Sequence, residues 1–352
     1  MKNHSGIVYL SFPFAAGVAA AALAARPFGC ALCSSAAVIV LFFLCIHQSG
    51  RSELCMTLLF FFTGVLCWSS SYLCPPPPSV RNGYSGAIAG ILDRIPFEGE
   101  HSGPIIKALL TGDRSGLPKA TVASFRRSGA SHILALSGLH LGVIYVFIGN
   151  ILSLLGNSRA ARLLRGTLSI TLCGIYTAAT GASASTVRAF LFILINETGR
   201  SLSGRARSPL GTFCTALTVQ LAWKPALIAS AGFQLSYLAM LGITLLYPVL
   251  EPWYPGSSRK DPLRAIWKSA AMSVSCQLFT APAAWIHFHS FPPYFLITNL
   301  ITLPLTELVI VLAAIAAVLE FAGICPQALA FACGKLVQTL EFCLETIASL
   351  PY

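Results

Sequence analysis

Charge is scarce in this chain, and negative charge scarcest: 10% of its 352 residues are charged, with 12 Asp or Glu against 23 Lys or Arg. Soluble domains carry about 25% charged residues, so a water-facing globule is excluded. Also missing are a phosphate-binding glycine loop with lysine, a His-Glu-x-x-His pair and a Gly-x-Ser-x-Gly elbow. Their absence leaves no motif for nucleotide hydrolysis or zinc hydrolysis. Metal-ligand spacing is missing too. Of the twelve cysteines, Cys45, Cys55, Cys67, Cys173, Cys214, Cys276, Cys333 and Cys343 sit inside apolar runs, and Cys30-x-x-Cys33 has no second pair. They read as small buried hydrophobes. His287 and His289, at i and i+2, point apart on a helix and make no metal pair. No cofactor, no metal and no enzymatic activity are expected. No internal repeat is evident.

Long apolar runs fill the space that charge leaves, with 55% of residues hydrophobic. Crossing a bilayer takes about 20 such residues. Runs at 7–25, 29–47, 54–73, 130–155, 166–181, 184–199, 209–223, 226–250, 265–286, 295–320 and 327–349 predict an all-α polytopic membrane protein. It would have about 10–11 transmembrane or re-entrant helices. Three regions follow: a three-helix region over 1–74, an extracytoplasmic amphipathic linker over 75–129 and a helical core over 130–352.

Basic clusters orient the spans. Arg159, Arg162 and Arg165 are expected in one loop, Arg200, Arg205 and Arg207 in a second, and Arg259, Lys260 and Arg264 in a third. Two predicted elements separate each from the next, so all face one side, cytoplasmic by the positive-inside rule. Lys2 and Arg51 then lie inside with the N-terminus, which reads as an uncleaved first span. The linker opens with the stiff Pro75–Pro78. Its apolar positions Ile88, Ile91, Leu92, Ile95, Ile105, Ile106, Leu109 and Leu110 predict short amphipathic helices along the outer interface. Arg94, Lys107, Arg114, Lys119, Arg126 and Arg127 there suit lipid headgroups or an electropositive approach to a pore.

Polar groups inside apolar runs are the candidate functional residues, because each unsatisfied one costs free energy in lipid. Read as one helix over 130–155, Ser131, Ala135, Gly138, Gly142 and Gly149 form a ridge of small residues that admits a neighbouring helix. His132, Ser137, His140 and Asn150 spread over the opposite arc. Ser137 and His140, at i and i+3, are helix neighbours without an acidic partner for hydrolysis. Thr180–Ser185 suits an unwound segment or half-helix start before Arg188, which keeps its proton and needs an anion, water or carbonyls. Gln234 and Gln277 lie in two further spans, and Asn299 precedes Pro304, which is expected to break or kink its helix. Glu307 follows, expected to be buried, protonated or paired. For His132, Ser137, His140, Gln234 and Gln277 the structural alternative to a polar path is helix-to-helix hydrogen bonding, and for Arg188 it is snorkelling to an interface.

The run Ser128-Gly129…His132-Ile133-Leu134-Ala135-Leu136-Ser137-Gly138-Leu139-His140 resembles the signature of the ComEC competence family, inner-membrane channels for imported single-stranded DNA. Further stretches agree in order: Thr180-Gly181-Ala182 to Arg188-Ala189, Gly204-Arg205, Gly232-Phe233-Gln234-Leu235-Ser236, Gln277 with Pro282, and Asn299 with Pro304. The resemblance covers about 110–310. Family members commonly add an OB-like domain and a metallo-β-lactamase-like domain, whose His-x-His-x-Asp-His set is not in this sequence. The resemblance therefore implies a permease core alone, with DNA grip and nuclease activity on other polypeptides. It implies a substrate path lined by His132, Ser137, His140, Arg188, Gln234, Gln277, Asn299 and Glu307. Its expected partners are single-stranded DNA, membrane lipid, a cytoplasmic translocase, separate extracytoplasmic DNA-binding or nuclease proteins and a possible second copy of itself. The translocase is expected because an inside-negative potential opposes inward movement of an anion. A small-molecule or lipid transporter and a non-conducting degenerate relative are the alternatives.

Overall fold

The computed structural model describes residues 5–24, 27–47, 52–73, 84–156, 158–203, 208–255, 261–289 and 291–351. Lys2, Arg51, Pro75–Pro78, Gly204, Arg205, Arg207, Arg259 and Lys260 lie outside these. The regular structure of the described residues is all helical, without a strand. In chain order the helices are α1 (Ser5–Ala24), α2 (Pro27–His47), α3 (Ser52–Leu73), α4 (Tyr84–Leu92), α5 (Ser102–Thr111), α6 (Lys119–Arg127), α7 (Ser131–Leu134) and α8 (Gly138–Leu152). There follow α9 (Arg159–Ala179), α10 (Ala184–Ser203), α11 (Pro209–Trp223), α12 (Ala231–Leu245), α13 (Tyr247–Leu250), α14 (Pro262–Phe288), α15 (Phe295–Phe321) and α16 (Gln327–Ala348).

Every predicted span falls largely on helix, with interruptions inside 130–155 and 226–250. Among the described residues, six stretches are long and apolar enough to cross a membrane: Gly6–Ala24, Pro27–Cys45, Glu53–Leu73, Gly138–Leu155, Ala231–Trp253 and Phe295–Phe321. This is a polytopic α-helical membrane protein. Phe12, Phe28, Leu32, Phe43, Val318 and Phe321 are exposed on these stretches, an apolar surface that suits hydrocarbon rather than water.

The chain packs as two compact units, one comprising Met1–Val80 with Leu191–Thr244, the other Arg81–Phe190 with Leu245–Tyr352. In the first, α1 crosses α3 at backbone contact. A Cβ on Gly17 would overlap the Phe61 carbonyl, and one on Gly64 the Phe14 carbonyl. Two glycines thus make the close helix pair that small residues permit. Ser11 Oγ joins α1 to α11, donating to Cys214 O at 3.2 Å and accepting from Thr218 Oγ1 at 2.9 Å.

The second unit holds the larger core. On α16, Ala330, Cys333, Val337, Leu340, Leu344 and Ile347 recur at alternating intervals of three and four, and all are buried. That spacing is one helical face. It meets Ile105, Ile106 and Leu109 of α5, Phe125 of α6, and Val309, Ile310 and Ala313 of α15 in one cluster. The linker helix α5 is amphipathic as expected, but its apolar face is buried in protein rather than laid on lipid. A glycine makes room for the approach, since a Cβ on Gly334 would overlap the Glu98 carbonyl.

Three local expectations change. The three basic groups are not wholly loops: Arg159, Arg162 and Arg165 lie within α9, Arg200 in the last turn of α10 and Arg264 in α14. These helices run past their apolar stretches. Pro304 does not break α15, nor Pro282 α14; each is carried inside a continuous helix. Finally, 130–155 is not one helix. It is α7, an extended turn through Ala135 (ψ 128°) and Ser137 (ψ 165°), then α8.

Candidate functional site

That interruption builds the site. Ser137 is the N-cap of α8: its side chain accepts from Leu139 N–H at 3.2 Å, and its own N–H donates to His140 Nδ1 at 2.9 Å. The two form a capping box in which histidine takes the place usual for Glu or Gln. A backbone N–H can only donate, so Nδ1 is an acceptor and the neutral ring carries its proton on Nε2. His140 is 1% exposed, and its Nε2 has no hydrogen-bond partner among the described residues. Ser137 Oγ also lies 3.0 Å from Nδ1. The Ser137–His140 proximity expected from sequence is therefore present, and its local work is to start a helix.

Arg188 comes to the same place from α10. Gly181 (φ 82°) and Ala182 (φ 48°) turn the chain after α9, and Ser183 Oγ accepts from Thr186 N–H at 3.2 Å. This is the half-helix start expected before Arg188. Ser185 Oγ then receives Gly138 N–H at 3.2 Å and Arg188 Nη2 at 3.5 Å. Arg188 is 6% exposed. Its Nη2 stands 3.0 Å from where a Cβ on Gly138 would lie, with Ala189 Cβ at 3.3 Å. Glycine at 138 thus lets a guanidinium rest on the first turn of α8. Peptide N–H groups and helix dipoles put positive potential at the first turns of both α8 and α10, and the guanidinium adds a full charge. Such a place attracts anions.

The small ridge expected over 130–155 is corrected. With the helix interrupted, Ser131 and Ala135 leave the ridge; Gly138, Gly142 and Gly149 still share a face of α8, but a Cβ on Gly142 or Gly149 would meet nothing within 4 Å among the described residues, so no helix is seated closely on them. Close helix contact is made instead by Gly17 and Gly64. Asn150, on the proposed polar arc, is exposed near the end of α8.

The other path residues are dispersed. His132 is exposed on α7, its Nδ1 3.2 Å from Gly129 O. Gly129 needs its positive φ of 86° to end α6, where a side chain would press on Pro292. Thr298 on α15 donates to Ser128 O at 2.7 Å, fastening this turn. Asn299, beside it, has a buried Oδ1 without a hydrogen-bond partner among the described residues. Gln277 is half-buried on α14, which packs on α15. Gln234 belongs to the other unit and donates to Ile228 O at 2.8 Å. Of the three states expected for Glu307, two are not found: it is exposed rather than buried and makes no ion pair among the described residues, which leaves protonation. The neighbouring Thr302, Thr306, Val309 and Ile310 take the inward face of α15, and Glu307 is turned about 100° from Thr306.

Two of the linker's basic residues are engaged within the protein. Lys107 pairs with Asp93 at 2.7 Å, and Arg114 Nε donates to Leu134 O at 3.0 Å, closing the end of α7. Asp113 beside them is held below the usual carboxylate range by hydrogen bonds from Ser115, with Lys107 nearby. Sequence reading singled out Ser137, His140 and Arg188, but placed Gly138 in a ridge of small residues and Ser185 in a hydroxyl-rich run without bringing either to Arg188. The cue was the Ser-Gly start of an apolar run, a cap followed by the first helical residue.

The chain's apolar membrane-spanning helices define the class as a polytopic α-helical membrane protein, and within it lies an interrupted, glycine-floored polar turn. The Competence protein family matches residues 109–352, and the chain belongs to that family. It is 27% identical over 215 residues to ComE operon protein 3 of Bacillus subtilis (strain 168), covering 61% of this chain and 26% of that protein. It is 24% identical over 281 residues to the uncharacterized protein YcaI of Escherichia coli (strain K12), covering 77% of this chain and 36% of YcaI. The aligned stretches thus span about a quarter to a third of those relatives' lengths. No solved structure matches.

Proposed function

We propose that this chain is the channel core through which single-stranded DNA passes into the cytoplasm across the inner membrane. The observation that carries the reading is the guanidinium of Arg188 set on Gly138, where α8 and α10 both begin. A strand of arbitrary sequence offers its phosphates as the constant feature, and sequence-independent electrostatic contact is what such cargo needs. Family membership supports the same reading. In it the chain conducts and performs no bond chemistry. A cytoplasmic translocase pulls the strand, other proteins bind or cut DNA outside, and N-terminal residues face the cytoplasm. His132, Asn299 and Gln277 serve as lining groups, and the cargo passes the α7–α8 turn.

The experiment replaces the resident family member of a transformable host with this chain. Labelled DNA reaching the cytoplasm is counted for the native chain, Arg188→Ala and Arg188→Lys at equal expression. The reading expects uptake with the native chain, a loss of tenfold or more for Ala and partial rescue by Lys. Uptake unaffected by both variants removes Arg188 from the route. No uptake with a well-expressed native chain favours a transporter of other cargo or a non-conducting relative.

A further inference from the structure

The second unit contains an apolar cavity of about 270 Å³ that the DNA path does not use. Its walls include Ile91 of α4, Ile144 and Phe147 of α8, Tyr176 of α9, and Ala314 and Val318 of α15. Among the described lining side chains the polar group is the Tyr176 hydroxyl, and it donates to Leu110 O at 2.8 Å, capping the end of α5. Nothing is left there to hold water, which needs two to four polar partners, or a phosphate. The space is nearly twice that of a cavity of about 150 Å³ that takes benzene. Left empty, it would strip a large apolar lining of its contacts.

Its opening identifies the occupant. Val318, at the rim, is 69% exposed, and Phe321 one turn on is 81% exposed. Both belong to the membrane-spanning stretch Phe295–Phe321. The cavity is therefore continuous with the lipid-facing surface of α15, where hydrocarbon is the solvent.

We infer that this cavity is a binding site for one acyl chain of a bilayer lipid, wedged between the linker helices α4 and α5 and the membrane helices α8, α9 and α15. The seated chain completes the packing of α4 and α5 against the unit. It is a resident structural ligand, not transported cargo, and the inference stands independently of DNA conduction.

The test uses the full chain in nanodiscs of phosphatidylcholine with a diazirine on one acyl chain. Photolabel is expected in peptides spanning 144–147 and 311–318. Ala314→Trp, which fills the space, should lower it at least fivefold. Val146→Trp, at a position 57% exposed on the outer side of α8, should leave it unchanged. Should Ala314→Trp fail to fold, Val318→Trp at the exposed rim closes the mouth and should give the same loss. Label spread evenly over the outer surface and indifferent to Ala314→Trp or Val318→Trp overturns the inference. So does the absence of label from these peptides while the rest of the membrane-facing surface is labelled.

Discussion

His140→Ala tests the helix start on which the site depends. The imidazole accepts Ser137 N–H at 2.9 Å and is 1% exposed, so truncation removes both an acceptor and a buried ring. An unpaired, desolvated N–H costs about 1–3 kcal/mol. Truncating a buried side chain to alanine adds a cavity term, and together they give a loss of about 2–4 kcal/mol. The decisive comparison is His140→Gln. Glutamine is a usual residue at this position of a capping box, and its carbonyl oxygen can take the same N–H. Thermal unfolding followed by circular dichroism in one detergent should place native above Gln above Ala, with Gln recovering at least half of the loss. Alanine as stable as native, or glutamine no better than alanine, would refute the capping role. His140 would then have to be explained by substrate contact alone.

Gly138→Ala separates fold from function: alanine suits a helix better than glycine by about 1 kcal/mol, while its Cβ would press on Arg188 Nη2 at 3.0 Å. DNA uptake should fall severalfold while melting changes by no more than about 1 kcal/mol. Gly64→Val should lower stability by about 1–3 kcal/mol or more in the same melts, because α3 cannot approach α1 with a side chain on the Phe14 carbonyl. Tyr176→Phe frees Leu110 O and should cost about 1–3 kcal/mol, seen as faster amide exchange in α5. Asp113 carries a depressed pKa, so its folded state is favoured above the ordinary carboxylate range and that advantage disappears as pH falls through the lowered value. Asp113→Asn should therefore lower stability at pH 7 and lose its effect when melts are repeated at acid pH.

Much of the helix pattern was legible because each element carries its own period. On α16 the apolar positions alternate by three and four, and on α5 Ile105, Ile106 and Leu109 mark one face. Hydropathy alone could not say whether that face meets lipid or protein, since both are apolar; α5 meets protein. The interruption at 135–137 was hidden because Ala135 and Leu136 continue the apolar run, and because the capping partner is a histidine. Splitting α7 from α8 shortened the ridge of small residues to Gly138, Gly142 and Gly149, and spacing alone could not tell that no described residue packs on the last two. The glycine contact that exists, Gly17 with Gly64, joins two helices far apart in sequence, and nothing local announces the pairing. The same holds for Arg188 on Gly138, fifty residues apart. Lys107 and Arg114 read as free cations because a lone sequence does not reveal that Asp93 and the Leu134 carbonyl lie beside them.

The most direct measurement places a photo-crosslinking amino acid at Ser185, beside Arg188 and Gly138, and at Val146 on the exposed side of α8. Single-stranded DNA is then stalled during uptake and irradiated. Passage past the α7–α8 turn predicts DNA adducts at 185 and none at 146. Uptake that proceeds with no adduct at 185, or with equal adducts at both, would contradict it.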